Sequence, residues 1–403
     1  MFTHFRYKQW FILLHRYLGL TSALFLLVAG LTGSLLAYHD EIDQWLNPQL
    51  FYTAEQGNEF LEPSTLFLAA RRYATSIDAR FATMPLHTRP GRSLQFWVNH
   101  NGQFKQLFIN PYNADIIGLR DPDDLGESWR NLMGFVLKLH YTLWMPDNWG
   151  FWLLGMIALL WTLNCFVALA VSFPVLKVFN IKLLLKRWQQ NLSMRWHSRG
   201  FAFHFLLHRA AGLWLWGLML IFAWSSVAFN LRDVYQPVTY ALLGQPAVEA
   251  AAAQQRPAMK MYQALAFARQ HARELSAQHN LTLGAEGSIR YSQHTNTYIY
   301  RFHSSRDLSP ALTRSRLTMD ASNGELLGVF WPSEQHAATT VTQWLYALHM
   351  AEVFGWPYQL LVCLLGLMVA YFSYSGVLIW WRKRSTSRYI NRHTNRNSRL
   401  KNK

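Results

Sequence analysis

The heptapeptide Leu14-His15-Arg16-Tyr17-Leu18-Gly19-Leu20 has a second copy, Leu207-His208-Arg209-Ala210-Ala211-Gly212-Leu213, and each copy lies near the start of a long apolar segment. Self-similarity over such a distance marks a duplicated unit and constrains the architecture before any single residue is interpreted. The similarity continues downstream. LTMDASNGELLG at 317–328 follows LFINPYNADIIG at 107–118 position by position. A Leu-His pair then comes 22 residues after Gly118, at His140, and 21 residues after Gly328, at His349. The duplication covers nearly the whole chain.

Four segments are apolar and long enough to cross a bilayer core as helices: 10–38, 149–176, 201–229 and 355–381. None contains an acidic residue. The 18 tryptophans and a charged fraction of only 15% fit a membrane protein with aromatic belts. The net charge of +16 looks like a nucleic-acid signature until it is mapped along the chain. The lead before and into the first crossing, the stretch between the second and third, and the tail together carry 19 basic residues and no acidic one. The intervening regions 39–148 and 231–354 have 9 basic with 13 acidic and 10 basic with 9 acidic residues. A one-sided excess of this kind places both termini and the 177–200 loop in the cytoplasm and excludes nucleic-acid binding. Contact with anionic lipid headgroups accounts for the basic tail. The first crossing is too long for a signal-peptide core and reads as a retained anchor. Cys165 and Cys363 both fall inside crossings, without a CxxC or metal-type spacing, and read as small buried hydrophobes.

The expected fold class is a membrane α-helical protein with four transmembrane helices in two parallel pseudo-repeats, each with an external α+β domain. The expected order is a cytoplasmic lead and first crossing (1–38), a first external domain ending in an interfacial helix (39–148), and the second crossing (149–176). A basic loop (177–200), the third crossing (201–230), a second external domain (231–354), the fourth crossing (355–381) and a basic tail (382–403) follow. In the first external domain, Pro and Ser open a helix over 63–74, and strands are expected at 80–86, 93–99 and 103–109. Asn101-Gly102 is a hairpin turn signal between the last two. A short strand ends at Gly118, and an amphipathic helix over 129–145 is broken by Pro146-Asp147-Asn148. The second external domain repeats the plan, with a helix over 257–278, strands at 287–293, 295–303, 314–319 and 325–330, and a helix over 342–353. The Ala-rich 247–254 reads as a connector. Gly30, Gly33 and Ser34 give the first crossing a small-residue face, open to close packing by another helix or by a flat cofactor.

Two copies entering from the same side imply a pseudo-twofold axis along the membrane normal. Equivalent residues then face each other at equal depth: His15 with His208 near the cytoplasmic side, His140 with His349 at the outer surface. Intramembrane ionisable groups are costly and usually functional. Two facing imidazoles can fill both axial positions of a haem iron. Zinc would need a third and a fourth ligand, and no such cluster is visible beside either pair. His204, four residues from His208 on the same helix face, is the rival inner ligand, but it aligns with Phe11. His39, at the outer end of the first crossing, has no repeat partner; a cap or an outer-site role is open to it. Arg16 and Arg209 directly follow the inner histidines. They are suited to the propionates of an inner haem and equally to lipid phosphate.

LHRYLGL, the GLTGSLL stretch at 30–36, the two hairpins ending at Gly118 and Gly328, the Leu-His pairs at His140 and His349, and the closing SYSGVLIWW before basic residues together resemble the PepSY-associated transmembrane family, over most of 10–384. The best-defined members of that family are siderophore reductases with two b-type haems. The resemblance therefore implies PepSY-like external domains, two haem b groups, and an inner-membrane, iron-linked oxidoreductase acting on a ferric siderophore. Some members carry a fused cytoplasmic flavoprotein reductase. No such fusion is seen here, so the expected electron donor is a separate cytoplasmic reductase or a membrane quinol. Two other classes compete: a non-redox, membrane-anchored binding protein using its PepSY-like domains, and an iron or chelate permease component. The crossings lack the carboxylates and Gly/Pro-broken centres of a midplane transport site.

Overall fold

A computed structural model describes residues 2–54, 59–124, 129–174, 180–246 and 258–401, without the side chains of 2–6 and 386–401. The Ala-rich connector expected at 247–254 lies outside these residues. The chain divides into two compact units, one of residues 1–37, 138–236 and 359–403, the other of 38–137 and 237–358.

The first unit is helical. It is built from α1 (Phe2–Leu36), α6 (Trp149–Ser172), α7 (Ile181–Leu192), α8 (Gly200–Trp214), α9 (Trp216–Asn230) and most of α13 (Gly355–Lys401). Tyr7–Leu36, Trp149–Ser172 and Gly355–Ser385 are each long and apolar enough to cross a membrane. Most of their apolar surface is not covered by protein. In water that would be an extensive exposed patch, whereas lipid accommodates it. Tryptophans at the span ends, Trp149 and Trp356 among them, are exposed, as interfacial anchors are. Two hydroxyls inside the first span donate within their own helix, Ser22 to the Leu18 carbonyl and Thr32 to Val28, at 2.7–2.8 Å.

The third apolar segment differs from the single helix expected. It is two helices, α8 and α9, bent by 71° at Leu215. No proline sits there. The tryptophans on either side are held by separate elements, Trp214 Nε1 donating to the Leu192 carbonyl of α7 at 3.1 Å and Trp216 Nε1 to the Cys165 carbonyl of α6 at 2.8 Å. The bend thus lies between two anchored tryptophans.

The second unit is α+β. After α2 (His39–Leu46) and α3 (Pro48–Phe51), α4 (Pro63–Ser76) packs on an antiparallel sheet of β1 (Ala79–Arg80), β3 (Leu94–His100), β4 (Gln103–Ile109) and β5 (Ile116–Arg120), in the order β1-β3-β4-β5. Leu66, Ala70 and Ala74 share one face of α4. They meet the alternating Leu94, Phe96 and Val98 and the residues Leu107 and Ile109 in one core. The turn between β3 and β4 is Asn101-Gly102, both left-handed (φ 51° and 84°), as a two-residue hairpin requires.

Beyond α5 (Leu132–Thr142) and α10 (Arg232–Leu243), α11 (Met261–His279) packs on the second sheet. That sheet contains β2 (Thr83–Pro85), β6 (Leu283–Ser292), β7 (Thr297–Ser304), β8 (Ser315–Asp320) and β9 (Leu326–Phe330), in the order β2-β6-β7-β8-β9. The helix α12 (Ala337–His349) follows. The strand expected at 80–86 is thus two strands in two sheets. Ala79–Arg80 pairs with β3, and Thr83–Pro85 crosses to pair with β6. The first region therefore lends one strand, β2, to the sheet of the second. Register shifts fall at Phe108/Ile109 and at Thr318/Met319, aligned positions of the repeated dodecapeptide.

Candidate functional site

His15 sits near the middle of α1 and His208 in the second half of α8. Their ring centres are 6.4 Å apart, with planes at 69°. Neither ring floats. His15 Nδ1 is 2.8 Å from Oδ1 of Asn164 on α6, and His208 Nδ1 is 2.8 Å from Oγ of Ser375 on α13. Four helices thus fix the two imidazoles. His204 is oriented differently: its Nδ1 lies 3.0 Å from the Tyr371 hydroxyl, and its ring lies against Tyr371 and Tyr374. The structure brings His208, not this rival, next to His15.

The 6.4 Å separation can be set against that of two imidazoles sharing one metal. Two metal–imidazole bonds of about 2.0–2.1 Å, with the half-width of each ring added, place ring centres about 6 Å apart. Gly212 lies one turn beyond His208, and a Cβ there would have no atom within 4 Å. A Cβ on Gly376 would stand 3.6 Å from His208 Cε1, in ordinary contact. Arg209 donates from Nη2 to the Gln190 carbonyl at 3.2 Å, while its buried Nε has no partner among the described residues. An orphaned guanidinium N–H beside the histidine suits an anionic group such as a propionate. Arg16 is half-buried on α1.

His140 lies in the last turn of α5. Its Nδ1 is 2.9 Å from Thr32 Oγ1 on α1, and a Cβ on Gly33 would come within 3.1 Å of its Cε1. Gly33 makes room for this imidazole. The other small residues of the same face, Gly30 and Ser34, serve packing against α13: Ser34 Oγ donates to the Cys363 carbonyl at 2.9 Å. His349 is the last residue of α12 and belongs to the second unit, whereas His140 belongs to the first. Both histidines precede left-handed non-glycine residues, Leu143 and Trp144 (φ 53° and 57°) after His140 and Ala351 and Phe354 (φ 55° and 60°) after His349. Each such residue costs roughly 1–2 kcal/mol, and such strain collects at functional sites. His39 opens α2 and hydrogen bonds through Nδ1 to Asp40 at 2.9 Å. Among the described residues no three His, Cys, Asp or Glu side chains cluster as a metal ion's ligand set.

Asn164, Ser375 and Thr32 were not among the residues singled out by sequence. Asn164 carried a signal, being a lone amide in the apolar run WTLNC, where an unpartnered polar group is costly. Ser375 lies within the SYSG of the closing motif.

Apolar spans joined to a sheet-bearing extramembrane unit define a membrane protein with an α+β domain outside the bilayer. The chain matches the PepSY-associated TM region family over residues 12–383 and belongs to that family. No curated protein matches it.

Proposed function

We propose that this protein is an inner-membrane oxidoreductase that holds two haem b groups and passes electrons outward to reduce a ferric siderophore, releasing Fe(II). The observation that carries the reading is the His15–His208 pair: two imidazoles from different helices, 6.4 Å between centres, each anchored at Nδ1 by another helix. On this reading His15 and His208 hold the inner haem, with Arg209 and Arg16 toward its propionates. His140 and His349, related by the sequence repeat, hold the outer one. The parallel two-repeat arrangement and the cytoplasmic placement of both termini rest on the repeated motifs and the one-sided basic charge.

A six-coordinate haem supplies one-electron transfer and no open site for oxygen. The chain's own residues hold the imidazoles in place and keep the inner pair among apolar side chains. Reducing Fe(III) lowers its charge and so weakens its hold in a hard, oxygen-rich chelator. Electrons come from a cytoplasmic reductase or a membrane quinol.

Purified full-length protein tests this directly. The expected result is a red preparation with a b-type reduced spectrum and two haems per chain. His15→Ala or His208→Ala should remove one haem and leave the other. A colourless, folded preparation that binds no haem overturns the reading and favours a non-redox PepSY-type binding protein.

A further inference from the structure

We propose that Asn164 and Ser375 are positioning residues that hold His15 and His208 as Nδ1–H tautomers, so that each imidazole presents the Nε2 lone pair. A neutral imidazole carries its proton on one nitrogen, and the bond made by that nitrogen decides which one is left to ligate. At His15 the neighbour of Nδ1 is an amide oxygen, Asn164 Oδ1, at 2.8 Å. An amide oxygen only accepts, so Nδ1 must donate. At His208 the neighbour is Ser375 Oγ, which could donate or accept. The serine proton is already directed to the Phe372 carbonyl, 3.3 Å away, so Oγ accepts from His208 Nδ1 at 2.8 Å. The opposite tautomer would set lone pair against lone pair at His15, and at His208 it would require the serine proton to leave the Phe372 carbonyl.

The same logic recurs at His140. Thr32 Oγ1 donates to the Val28 carbonyl at 2.7 Å and lies 2.9 Å from His140 Nδ1, and His140 is also hydrogen bonded to the Ala29 carbonyl. Three histidines from the repeated motifs thus meet an amide oxygen and two hydroxyls through the same ring atom, each on another helix. The placement of Asn164 agrees, since an amide in an apolar span is tolerated only where its hydrogen bonds are made. Ser375 is fully buried.

What the two lone pairs take rests on the haem reading above; the tautomers themselves do not. The test therefore has two arms on the full-length chain in detergent. In the first, the haem-free chain with 15N-labelled histidine is examined by NMR. His15 and His208 should show protonated Nδ1 and bare Nε2. Asn164→Ala should release His15 alone toward the Nε2–H form, Ser375→Ala should release His208 alone, and Ser375→Thr should restore it. In the second arm, haem is titrated in. Each alanine variant should bind inner haem about 10–100-fold more weakly, with Ser375→Thr close to wild type.

If wild-type His15 or His208 is mainly Nε2–H, or if both alanine variants leave tautomers and haem affinity unchanged, the proposal is overturned. If the Nδ1–H tautomers are found but no haem binds, the positioning role stands and the haem reading falls. Should an alanine variant fail to fold, the wild-type spectrum and Asn164→Asp, which keeps the acceptor, decide the matter.

Discussion

Gly30 and Gly366 lie backbone to backbone. A Cβ on Gly30 would come 2.5 Å from the Gly366 carbonyl oxygen, and a Cβ on Gly366 would come 2.6 Å from the Gly30 carbonyl oxygen. The obstacle at Gly30 is main chain, which cannot turn aside, and at Gly366 it is main chain together with the Ser34 hydroxyl. In a bilayer, helices associate by packing and close hydrogen bonds, and Gly30 and Gly366 let α1 and α13 approach closely. Gly30→Ala or Gly366→Ala should each destabilise the protein by about 1–3 kcal/mol, as overpacking does. Gly217→Ala, where a Cβ meets nothing within 4 Å, should be neutral or slightly stabilising. Unfolding curves of the purified variants in mixed detergent separate these outcomes; equal loss in all three would refute the contact.

A second prediction concerns the extramembrane unit. Arg120 at the end of β5 forms a bidentate pair with Asp43 of α2, two bonds of 2.7 Å, with side chains 3% and 6% exposed. Gln106 also accepts from the guanidinium, at 2.7 Å from Nε, and Asn47 Nδ2 donates to Asp43 Oδ1 at 2.9 Å. Removing one partner leaves a buried charge without its counter-ion. Asp43→Ala should therefore cost about 3–5 kcal/mol. Hydrogen exchange should show the loss first in α2 and β5. Unchanged protection there would mean that the pair does not tie α2 to the sheet.

Glu286 gives a pH-dependent prediction. Burial raises its pKa, but hydrogen bonds from Arg269 and Tyr300 outweigh it, so the carboxyl is held below its ordinary value. Arg269 donates to both carboxylate oxygens at 2.6–2.8 Å, and Tyr300 donates at 2.6 Å. A folded-state pKa below the unfolded one means the stabilisation is fully present above the ordinary carboxylate range. It is lost as pH falls through the lowered value. Because the pair is 40% and 29% exposed, solvent screening limits its worth to about 1 kcal/mol or less. Glu286→Gln should be less stable than wild type at pH 7, and the difference should vanish in acid. A constant difference from pH 7 to acid would show that the charge is not responsible.

Much of this was legible in the sequence because it depends on local chemistry. The Asn101-Gly102 turn, the strand at 103–109 and three of the four crossings follow from turn residues and hydrophobic runs, which are local signals. The bend at Leu215 was not legible. It is flanked by two indole N–H groups tied to carbonyls on α7 and α6, which are neighbours only in three dimensions. The split of 80–86 between two sheets has the same origin, since β2 chooses its partner from a strand two hundred residues away. The inner histidines stood out by repetition, whereas Asn164 and Ser375 do not align with each other and so left no repeated mark.

His140 yields the last prediction. Gly150, the second residue of α6, faces the end of α5: a Cβ there would fall on the Thr142 backbone, two residues after His140. Thr142 cannot yield by rotating a side chain, because the atoms in the way are its Cα and carbonyl group. The adjoining Leu143 and Trp144 already hold left-handed conformations. Gly150→Ala should therefore push the last turn of α5 away from α6 and move His140 off Thr32. On the two-haem reading, the haem-to-protein ratio should fall from two toward one. Asn164 and Ser375 are untouched by the change, so the signature of the His15–His208 pair should persist. Thr32→Val, which removes the acceptor without adding bulk, should weaken the same outer group more mildly. A Gly150→Ala protein that keeps both haems would show that His140 does not depend on this close approach.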